Sequence, residues 1–457
     1  MTYNQIPLHR HQGMTAHIEE DSYRVLFAPE GSEHSALLFD QYRNELSALQ
    51  PPKDRSEQKR TVTSYFVLTD GCNLSCEYCD VLGPSGKRRA GTTMSWETAE
   101  KGLEILTTRL ENEPDLHAQI TFFGGEPVLA WGLIERICDY IECHPLADRI
   151  AKMLVTNGTL IDRYRAQYLS RHHVYVVVSL DGGMEVNDSM RPGSFASVER
   201  GMDMLREVMP GKFGISCTVG SHNAHRLSDE LRFLNHRFEP LSIGLNIYHY
   251  QIDGTSPIDM DHQEMSKALV DAFRVARQEG IAIYQFIGIL KAFAGQYRNR
   301  DYCPACVDKL LFTPSGNVGR CETLINEPGF TVPLAEIESH ILPEHLDWTK
   351  FTPEHEPECR NCATRWICPG SCAYDMYVTT GNPAGVDRRR CQFHTELLTE
   401  MLDLLFEGST HVSPEKVYIP DGNSFFHVVG GMQTVFPPDT IWIVSLSNVT
   451  ESNLAAT

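Results

Sequence analysis

The stretch Gly71-Cys-Asn-Leu-Ser-Cys-Glu-Tyr-Cys79 places three cysteines, Cys72, Cys76 and Cys79, on one short loop. Three thiolates can bind three irons of a four-iron cluster and leave the fourth iron without a protein ligand. An iron with an open position can bind a small molecule and do chemistry on it. A zinc loop is the alternative, but zinc sites usually pair two Cys-x-x-Cys units or add histidines, and no fourth ligand is near. The loop therefore favours an iron–sulfur cluster with one open site.

Apolar strand-like runs alternate with helical patterns from residue 61 onward. The predicted strands cover residues 61–68, 119–123, 151–156, 174–180, 214–219 and 243–248. The helical patterns between them cover residues 96–110, 128–141, 163–171, 195–208 and 227–238. Short apolar strands separated by helices predict an α/β fold, here a partial (β/α)6 barrel with a parallel sheet. Active sites of such barrels lie at the carboxyl ends of the strands, which is where a loop directly after the first strand belongs.

We expect the barrel to span residues 61–295, with one further segment before it and two after it. An N-terminal segment, residues 1–60, contains a short strand pattern at 24–27, a helical pattern at 35–49 and a linker-like run at 51–60. Residues 296–412 are rich in cysteine and poor in regular patterns, except for a helix predicted at 394–406. Residues 413–457 form a C-terminal extension of unassigned role, with a strand pattern at 440–444.

Composition limits the classes of function. A net charge of −20 on 457 residues argues against binding to nucleic acid or to an anionic membrane surface. The N-terminus has no apolar secretory segment, and no stretch approaches the about 20 apolar residues of a membrane-spanning helix. Fourteen cysteines without a secretion signal indicate metal or redox chemistry in a reducing compartment, so we expect a cytoplasmic protein.

The second predicted strand ends in a glycine-rich turn made of Gly124, Gly125, Glu126 and Pro127. Glycines let the backbone approach a ligand closely, and a carboxylate and exposed carbonyls accept hydrogen bonds from an ammonium group. Alone, this sequence is an ordinary turn. Its position at a strand end, some 45 residues after the cysteine loop, makes it a candidate part of the same site.

Polar side chains also follow the next two strands. Asn157 ends the third strand, and Ser179 and Asp181 end the fourth. Asp181 is placed to accept from ribose hydroxyls, Ser179 to donate to a carboxylate, and Arg191 to pair with that carboxylate. Each residue, seen singly, is more commonly a turn or cap residue. Their shared position at strand ends is what indicates a binding site.

These motifs together resemble the radical S-adenosylmethionine (SAM) enzymes over residues 61–250. The resemblance is carried by the cysteine loop with Tyr78 before its last cysteine, the turn at 124–127 and the strand end at 179–182. It implies that SAM chelates the open iron and is cleaved by an electron from the cluster to a 5′-deoxyadenosyl radical, which abstracts hydrogen from a substrate. It also implies that the turn holds the ammonium group and that backbone atoms of Tyr78 lie by the adenine. The segment before Arg191 departs from the commoner pattern.

Eight further cysteines follow residue 300, enough to ligate two more four-iron clusters fully. Two zinc sites are the alternative, since Cys-x-x-Cys pairs commonly bind zinc. Beside a radical SAM-like core, the region resembles the SPASM extension, which carries two auxiliary [4Fe-4S] clusters. The resemblance assigns Cys303, Cys306, Cys321 and Cys372 to the nearer cluster and Cys359, Cys362, Cys368 and Cys391 to the farther one. One departure is Pro369 in the stretch before Cys372, where two glycines are common.

The SPASM group mostly modifies ribosomally made peptides and proteins. The resemblance therefore implies a peptide maturase that forms a C–C, C–O or thioether crosslink or another oxidation, with a precursor peptide or protein as substrate. It also implies an electron donor such as flavodoxin or ferredoxin. Family members often bind a leader peptide through an N-terminal segment, which makes residues 1–60 a candidate recognition region.

Two alternatives stay open. One is an anaerobic sulfatase-maturing enzyme that forms formylglycine. Those enzymes carry an aspartate base directly after the cysteine that corresponds to Cys321, and here that position is Glu322, a candidate base or a solvated surface carboxylate. The other alternative is an iron–sulfur electron carrier or redox sensor. The turn at 124–127 counts against it, because an electron carrier needs no SAM pocket.

Overall fold

The computed structural model describes residues 3–19, 25–29, 60–79, 91–293, 302–337, 342–353, 355–365, 367–410, 416–419 and 442–445. The chain begins with three antiparallel strands, β1 (Tyr3–Pro7), β2 (Met14–Glu19) and β3 (Val25–Pro29). The strand predicted at 24–27 is therefore confirmed as β3. The helix predicted at 35–49 and the linker up to residue 59 lie outside the described residues.

Six parallel strands form the centre of the molecule, in the order in which they occur along the chain. They are β4 (Thr61–Thr69), β5 (His117–Gly124), β6 (Ile150–Thr156), β7 (Val174–Ser179), β8 (Phe213–Val219) and β9 (Ser242–Ile247). This matches the predicted strands to within two residues at each end. The partial α/β barrel is confirmed.

Helices connect these strands and cover the sheet. They are α1 (Trp96–Asn112), α2 (Trp131–Cys143), α3 (Arg163–Arg171), α4 (Met184–Met190), α5 (Phe195–Val208), α6 (Leu227–Phe238), α7 (His262–Glu279) and α8 (Tyr284–Phe293). The five predicted helices are present, although the pattern at 128–141 divides into a 3-10 turn, Pro127–Ala130, and α2. The sequence patterns did not predict α4, α7 and α8.

The cysteine-rich region adds strands to the barrel sheet. They are β10 (Lys309–Phe312), β11 (Asn317–Gly319) and β12 (Thr331–Pro333). Strand β10 runs parallel to β4, with Lys309 opposite Thr63, and β11 and β12 follow it antiparallel. The sheet therefore has nine strands, and the edge beyond β4 belongs to a region predicted to be poor in regular structure.

Two helices and two strands complete the described chain: α9 (Ala373–Thr380), α10 (Arg388–Thr410), β13 (Lys416–Ile419) and β14 (Trp442–Ser445). Helix α10 is longer than the predicted 394–406 helix, and β14 matches the strand pattern at 440–444. Strands β13 and β14 extend the N-terminal sheet beside β3. The predicted domain boundaries themselves stay a prediction. Among the residues that the structure describes, no helix is both long and apolar enough to cross a membrane.

The core lies between the sheet and its helices. Phe66 of β4 and Phe312 of β10 are fully buried, with ring centroids 4.9 Å apart. Gly102 of α1 lies directly over both rings, since a Cβ there would be 3.0 Å from Phe66 and 3.2 Å from Phe312. Burial of each ring contributes roughly 1.5–3 kcal/mol to stability. This contact fixes the first strand of the barrel between its helix and the cysteine-rich region.

A second close approach generates a stability prediction. Gly201 of α5 lies against the loop after β6, and a Cβ at this position would be 2.1 Å from the carbonyl oxygen of Gly158. A backbone oxygen cannot move without shifting the loop. We therefore expect Gly201→Ala to lower the free energy of unfolding in urea by about 1–3 kcal/mol.

The matched control is Gly132→Ala in α2, where a Cβ would meet nothing within 4 Å. Alanine is the better helix former, so this change should leave stability unchanged or raise it by up to about 1 kcal/mol. Equal stability of the two variants would contradict the close packing of α5 on the loop.

Candidate functional site

The cysteine loop is fixed by backbone hydrogen bonds to the glycine-rich turn at the end of β5. The amide of Gly125 donates to the carbonyl of Thr69 at 2.9 Å, and the amide of Glu126 donates to the carbonyl of Gly71 at 2.9 Å. Gly124 has a φ of +149°, and a Cβ on it would lie 2.2 Å from the Thr69 oxygen. The two glycines are therefore needed because two backbones lie in direct contact. The predicted close approach of this turn to a ligand stays a prediction.

Two of the loop's thiols accept hydrogen bonds from nearby donors. The amide of Leu74 lies 3.4 Å from the sulfur of Cys72, and the side-chain amide of Asn157 lies 3.9 Å from it. The guanidinium of Arg191 donates to the sulfur of Cys76 at 3.9 Å. Burial raises the pKa of both thiols, and these donors oppose that effect. Donors directed at sulfur favour the thiolate, which is the form that binds a metal.

Asn157 also links the cysteine loop to the end of β6. Its side-chain amide donates to Asn73 at 2.9 Å, and its oxygen accepts from Thr159. Ser179 is half-buried at the end of β7, where it pairs with Ser216 of β8. Both residues lie at the carboxyl edge of the sheet, as predicted. Their roles toward a ligand stay predictions.

The carboxylate of Glu126 is fully buried and binds three donors. It accepts from the amide of Val128 at 3.0 Å, from the hydroxyl of Thr156 at 2.8 Å and from the amide of Asn157 at 2.7 Å. Burial raises its pKa to about 7 despite these bonds. No ion pair to Glu126 is present within the described part of the chain. The site therefore contains a buried acid whose ionised form lacks a countercharge among the residues that the structure describes.

Asp181 forms a second buried polar cluster, at the end of β7. Its carboxylate accepts from the hydroxyl of Tyr78, from Nε of Arg191 at 3.1 Å and from the amide of Thr218 at 2.9 Å. Burial raises the pKa of the Tyr78 phenol well above its usual value. Asp181 and Arg191 thus bind each other here. Their predicted bonds to a ribose and to a ligand carboxylate stay predictions.

His222 lies beside this cluster, and the sequence patterns did not single it out. Its Nε2 is 3.9 Å from Asp181, its ring centroid is 5.9 Å from that of Tyr78, and neither ring nitrogen has a hydrogen-bond partner among the described residues. Asn223 fixes the loop by donating to the carbonyls of Asp181 and Thr218. The signal was available, because His222 lies three residues after the end of β8, close to a strand end like the predicted residues.

The eight later cysteines lie in two groups. In the first group, Cys303 interacts with Cys306 and Cys372, and Cys321 interacts with Cys372. In the second group, Cys359 interacts with Cys362, Cys368 and Cys391. These are the two sets of four cysteines that the resemblance implied. Cys372 lies with the first set, although it follows Cys359, Cys362 and Cys368 in the sequence. Whether each group binds a cluster stays a prediction.

Glu322 begins a 3-10 turn, Glu322–Leu324, and forms an ion pair with the buried amine of Lys309. Lys309 also lies 3.8 Å from the ring centroid of Tyr65, which faces it from β4. Burial acts to raise the pKa of Glu322, but the Lys309 ammonium lowers it below its usual value. Glu322 is therefore a paired carboxylate and is not freely solvated. Its predicted role as a base stays untested.

Comparison with known proteins agrees with this geometry. The model of the radical SAM superfamily matches residues 66–234. The cysteine-type anaerobic sulfatase-maturating enzyme of Clostridium perfringens (strain 13 / Type A) is 26% identical over 328 residues, which are 66% of this chain and 86% of that protein. The radical SAM cyclopropyl synthase TigE of Paramaledivibacter caminithermalis is 21% identical over 356 residues, 74% of this chain and 73% of that protein.

Solved structures share the fold. The structure of anSMEcpe with bound AdoMet and the Cp18Cys peptide aligns with a TM-score of 0.63 at 21% identity, covering 77% of this chain and 100% of that chain. Streptococcus suis SuiB bound to its precursor peptide SuiA aligns with a TM-score of 0.52 at 13% identity, covering 84% and 99%. At these identities the likeness shows a common fold. Residues 66–234 therefore match the radical SAM superfamily, and the chain shares the fold of anSMEcpe and SuiB.

Proposed function

We propose that this protein is a maturase that uses SAM to oxidise a side chain of a ribosomally made peptide or protein. One observation carries the proposal: the three-cysteine loop is bonded to the turn at the end of β5, and two separate groups of four cysteines lie in the same chain. An electron carrier or redox sensor would need the cysteines but not the strand-end groups. A flavodoxin or ferredoxin is the proposed electron donor.

In this proposal Cys72, Cys76 and Cys79 hold a [4Fe-4S] cluster with one open iron. The cluster would supply the electron that cleaves SAM to a 5′-deoxyadenosyl radical, which abstracts hydrogen from the substrate. The residues around the loop fit this role, since Leu74 and Asn157 donate to the sulfur of Cys72. Hydrogen bonds of this kind tune a cluster and orient its ligands.

Glu126 fits the binding of a cationic amino group. Its carboxylate is buried with three neutral donors, and the described residues form no ion pair with it. A positive charge placed beside it would offset the desolvation that raises its pKa. The ammonium of SAM, held by the turn at 124–127, would supply that charge. The turn thus contributes both backbone acceptors and the negative side chain.

Two products are consistent with the relatives. A crosslink or ring closure within a peptide is favoured by TigE, whose similarity extends over 74% of this chain. Formylglycine is favoured by the Clostridium perfringens relative and by the position of Glu322. In either reaction the oxidation removes two hydrogens from the substrate, as one hydrogen atom, one proton and one electron. A cysteine substrate would thereby give a thioaldehyde, which water converts to formylglycine with release of hydrogen sulfide. Glu322 is the proposed proton acceptor, because it is an ionised carboxylate directly after Cys321, the position of the aspartate base in the sulfatase-maturing enzymes.

Cys72→Ala tests the proposed cluster site. The wild-type protein, purified without oxygen, should contain about twelve irons and release 5′-deoxyadenosine when reduced with SAM. The variant should lose about four irons and all nucleoside release, measured by iron analysis and mass spectrometry. The matched control is Cys143→Ala, which removes an exposed thiol of α2 and should retain both. Nucleoside release by Cys72→Ala would contradict the proposal.

Glu322→Gln separates radical formation from proton transfer. The variant should still release 5′-deoxyadenosine but should form product about 100-fold more slowly, if at all, because a general base contributes about that factor or more. Glu344→Gln, an exposed acid of the same region, is the control and should retain the wild-type rate. Product is measured by mass spectrometry of a candidate peptide. Loss of two hydrogens without an aldehyde identifies a crosslink, and an aldehyde trapped by a hydrazine identifies formylglycine.

A wild-type rate in Glu322→Gln would show that Glu322 is not the base. If the wild type, Glu322→Gln and Glu344→Gln all fail to release 5′-deoxyadenosine, the radical SAM assignment of the three-cysteine loop is contradicted.

A further inference from the structure

His249 lies in the loop after β9, where the barrel meets the cysteine-rich region. Its Nδ1 is 2.9 Å from a carboxylate oxygen of Asp375, in α9. The rings of Tyr302 and Tyr374 pack edge-on against the imidazole, with centroids 6.5 and 6.2 Å away. The histidine is thus packed against two aromatic rings and hydrogen-bonded to a carboxylate. No role follows for it from the sequence motifs.

Asp375 is itself held rigidly. Its side chain is 2% exposed and accepts from the amide of Tyr250 at 3.1 Å and from the guanidinium of Arg389 at 3.0 Å. Arg389 is fully buried and also donates to the carbonyl of Tyr248 at 3.0 Å and to Asp387 at 2.8 Å. These bonds tie the start of α10 and the first turn of α9 to the loop after β9. They fix the orientation of His249 from the carboxylate side.

Cys372, the residue before α9, completes the arrangement. Its sulfur, a ring nitrogen of His249 and an oxygen of Asp375 all lie within 4.8 Å of one another. A separate metal ion bound by these three residues is the rival explanation. It is disfavoured because Cys372 lies with Cys303 and Cys321, and Asp375 already binds Arg389 and the Tyr250 amide.

We propose that His249, oriented by Asp375, is a positioning residue that acts on the sulfur of Cys372 and raises the reduction potential of the auxiliary cluster held by Cys303, Cys306, Cys321 and Cys372. The inference rests on the proposed function, because it requires that these four cysteines hold a cluster. Polar hydrogens next to a ligand sulfur stabilise the more negative, reduced state. The Asp375 carboxylate, 2.9 Å from Nδ1 of His249, fixes the ring and its hydrogens in place, as carboxylates do in the outer shells of many metal sites.

The consequence concerns the substrate electron. After hydrogen abstraction, an oxidation that loses two hydrogens still has one electron to remove. A cluster with a raised potential accepts that electron more readily. His249 would therefore favour completion of the oxidation without contacting the substrate. Its role is tested by measuring the reduction potential of the auxiliary cluster.

The test compares the full-length, cluster-loaded wild type with His249→Phe and His249→Gln. Phenylalanine keeps the ring and removes both nitrogens, whereas glutamine keeps an N–H donor. Reduction potentials are measured by redox titration followed by electron paramagnetic resonance. We expect one auxiliary signal of His249→Phe to shift to lower potential, the other auxiliary signal to stay in place, and His249→Gln to fall between wild type and His249→Phe. His345→Phe, an exposed histidine of the same region, is the control and should leave every potential unchanged.

Unchanged potentials in His249→Phe would overturn the inference, and so would an equal shift of both auxiliary signals, which indicates general loosening. Loss of about four irons in both His249 variants would overturn it as well, since the histidine would then be needed to assemble the cluster. A wild-type protein that holds only about four irons would instead overturn the proposed auxiliary clusters, and the inference with them.

Discussion

The structure depends on the contact between the ends of β4 and β5. Two backbone hydrogen bonds, from Gly125 to Thr69 and from Glu126 to Gly71, join the glycine turn to the loop that carries the three cysteines. A side chain on Gly124 or Gly125 would collide with the backbone of that loop. The cysteines are therefore placed by main-chain atoms of two neighbouring strands. Every other group of the candidate site is arranged around this junction, at the carboxyl edge of the sheet.

Two buried acids at that edge have opposite electrostatic environments. Asp181 has a guanidinium partner, Arg191, and a phenol donor, Tyr78, so its charge is compensated inside the protein. Glu126 has only neutral donors in the described part of the chain, and burial raises its pKa to about 7. A cationic ligand gains more beside Glu126 than beside Asp181, because among the described residues Arg191 pairs with Asp181 and no cation pairs with Glu126. This difference favours the turn at 124–127 over Asp181 as the place where an ammonium group binds.

Local patterns predicted the barrel because each of its strands and helices is short, apolar on a regular period and followed by a turn residue. The same patterns could not predict β10–β12. These strands are three or four residues long and are stable only because β10 pairs with β4. The position of polar residues at strand ends indicated Asn157, Ser179 and Asp181 as site residues. It could not show that Asp181 binds Arg191, because a pairing across ten residues of chain depends on tertiary packing. The pairing of Cys372 with Cys303 followed from resemblance alone.

The sheet register also bears on how the cysteine groups are related. Cys306 precedes β10 and Cys321 follows β11, and β10 begins opposite Thr63, near the start of β4. Cys72 follows the other end of β4, and the six residue-to-residue steps from Thr63 to Thr69 rise about 20 Å. Two members of the first auxiliary group therefore flank β10 and β11, the first of which pairs with β4 from near its start, whereas a third, Cys372, lies within 4.8 Å of His249 in the loop after β9. Because the side chain of Gln251 in that same loop donates to the carbonyl of Glu77 in the three-cysteine loop at 3.2 Å, the loop after β9 connects the two cysteine sites directly.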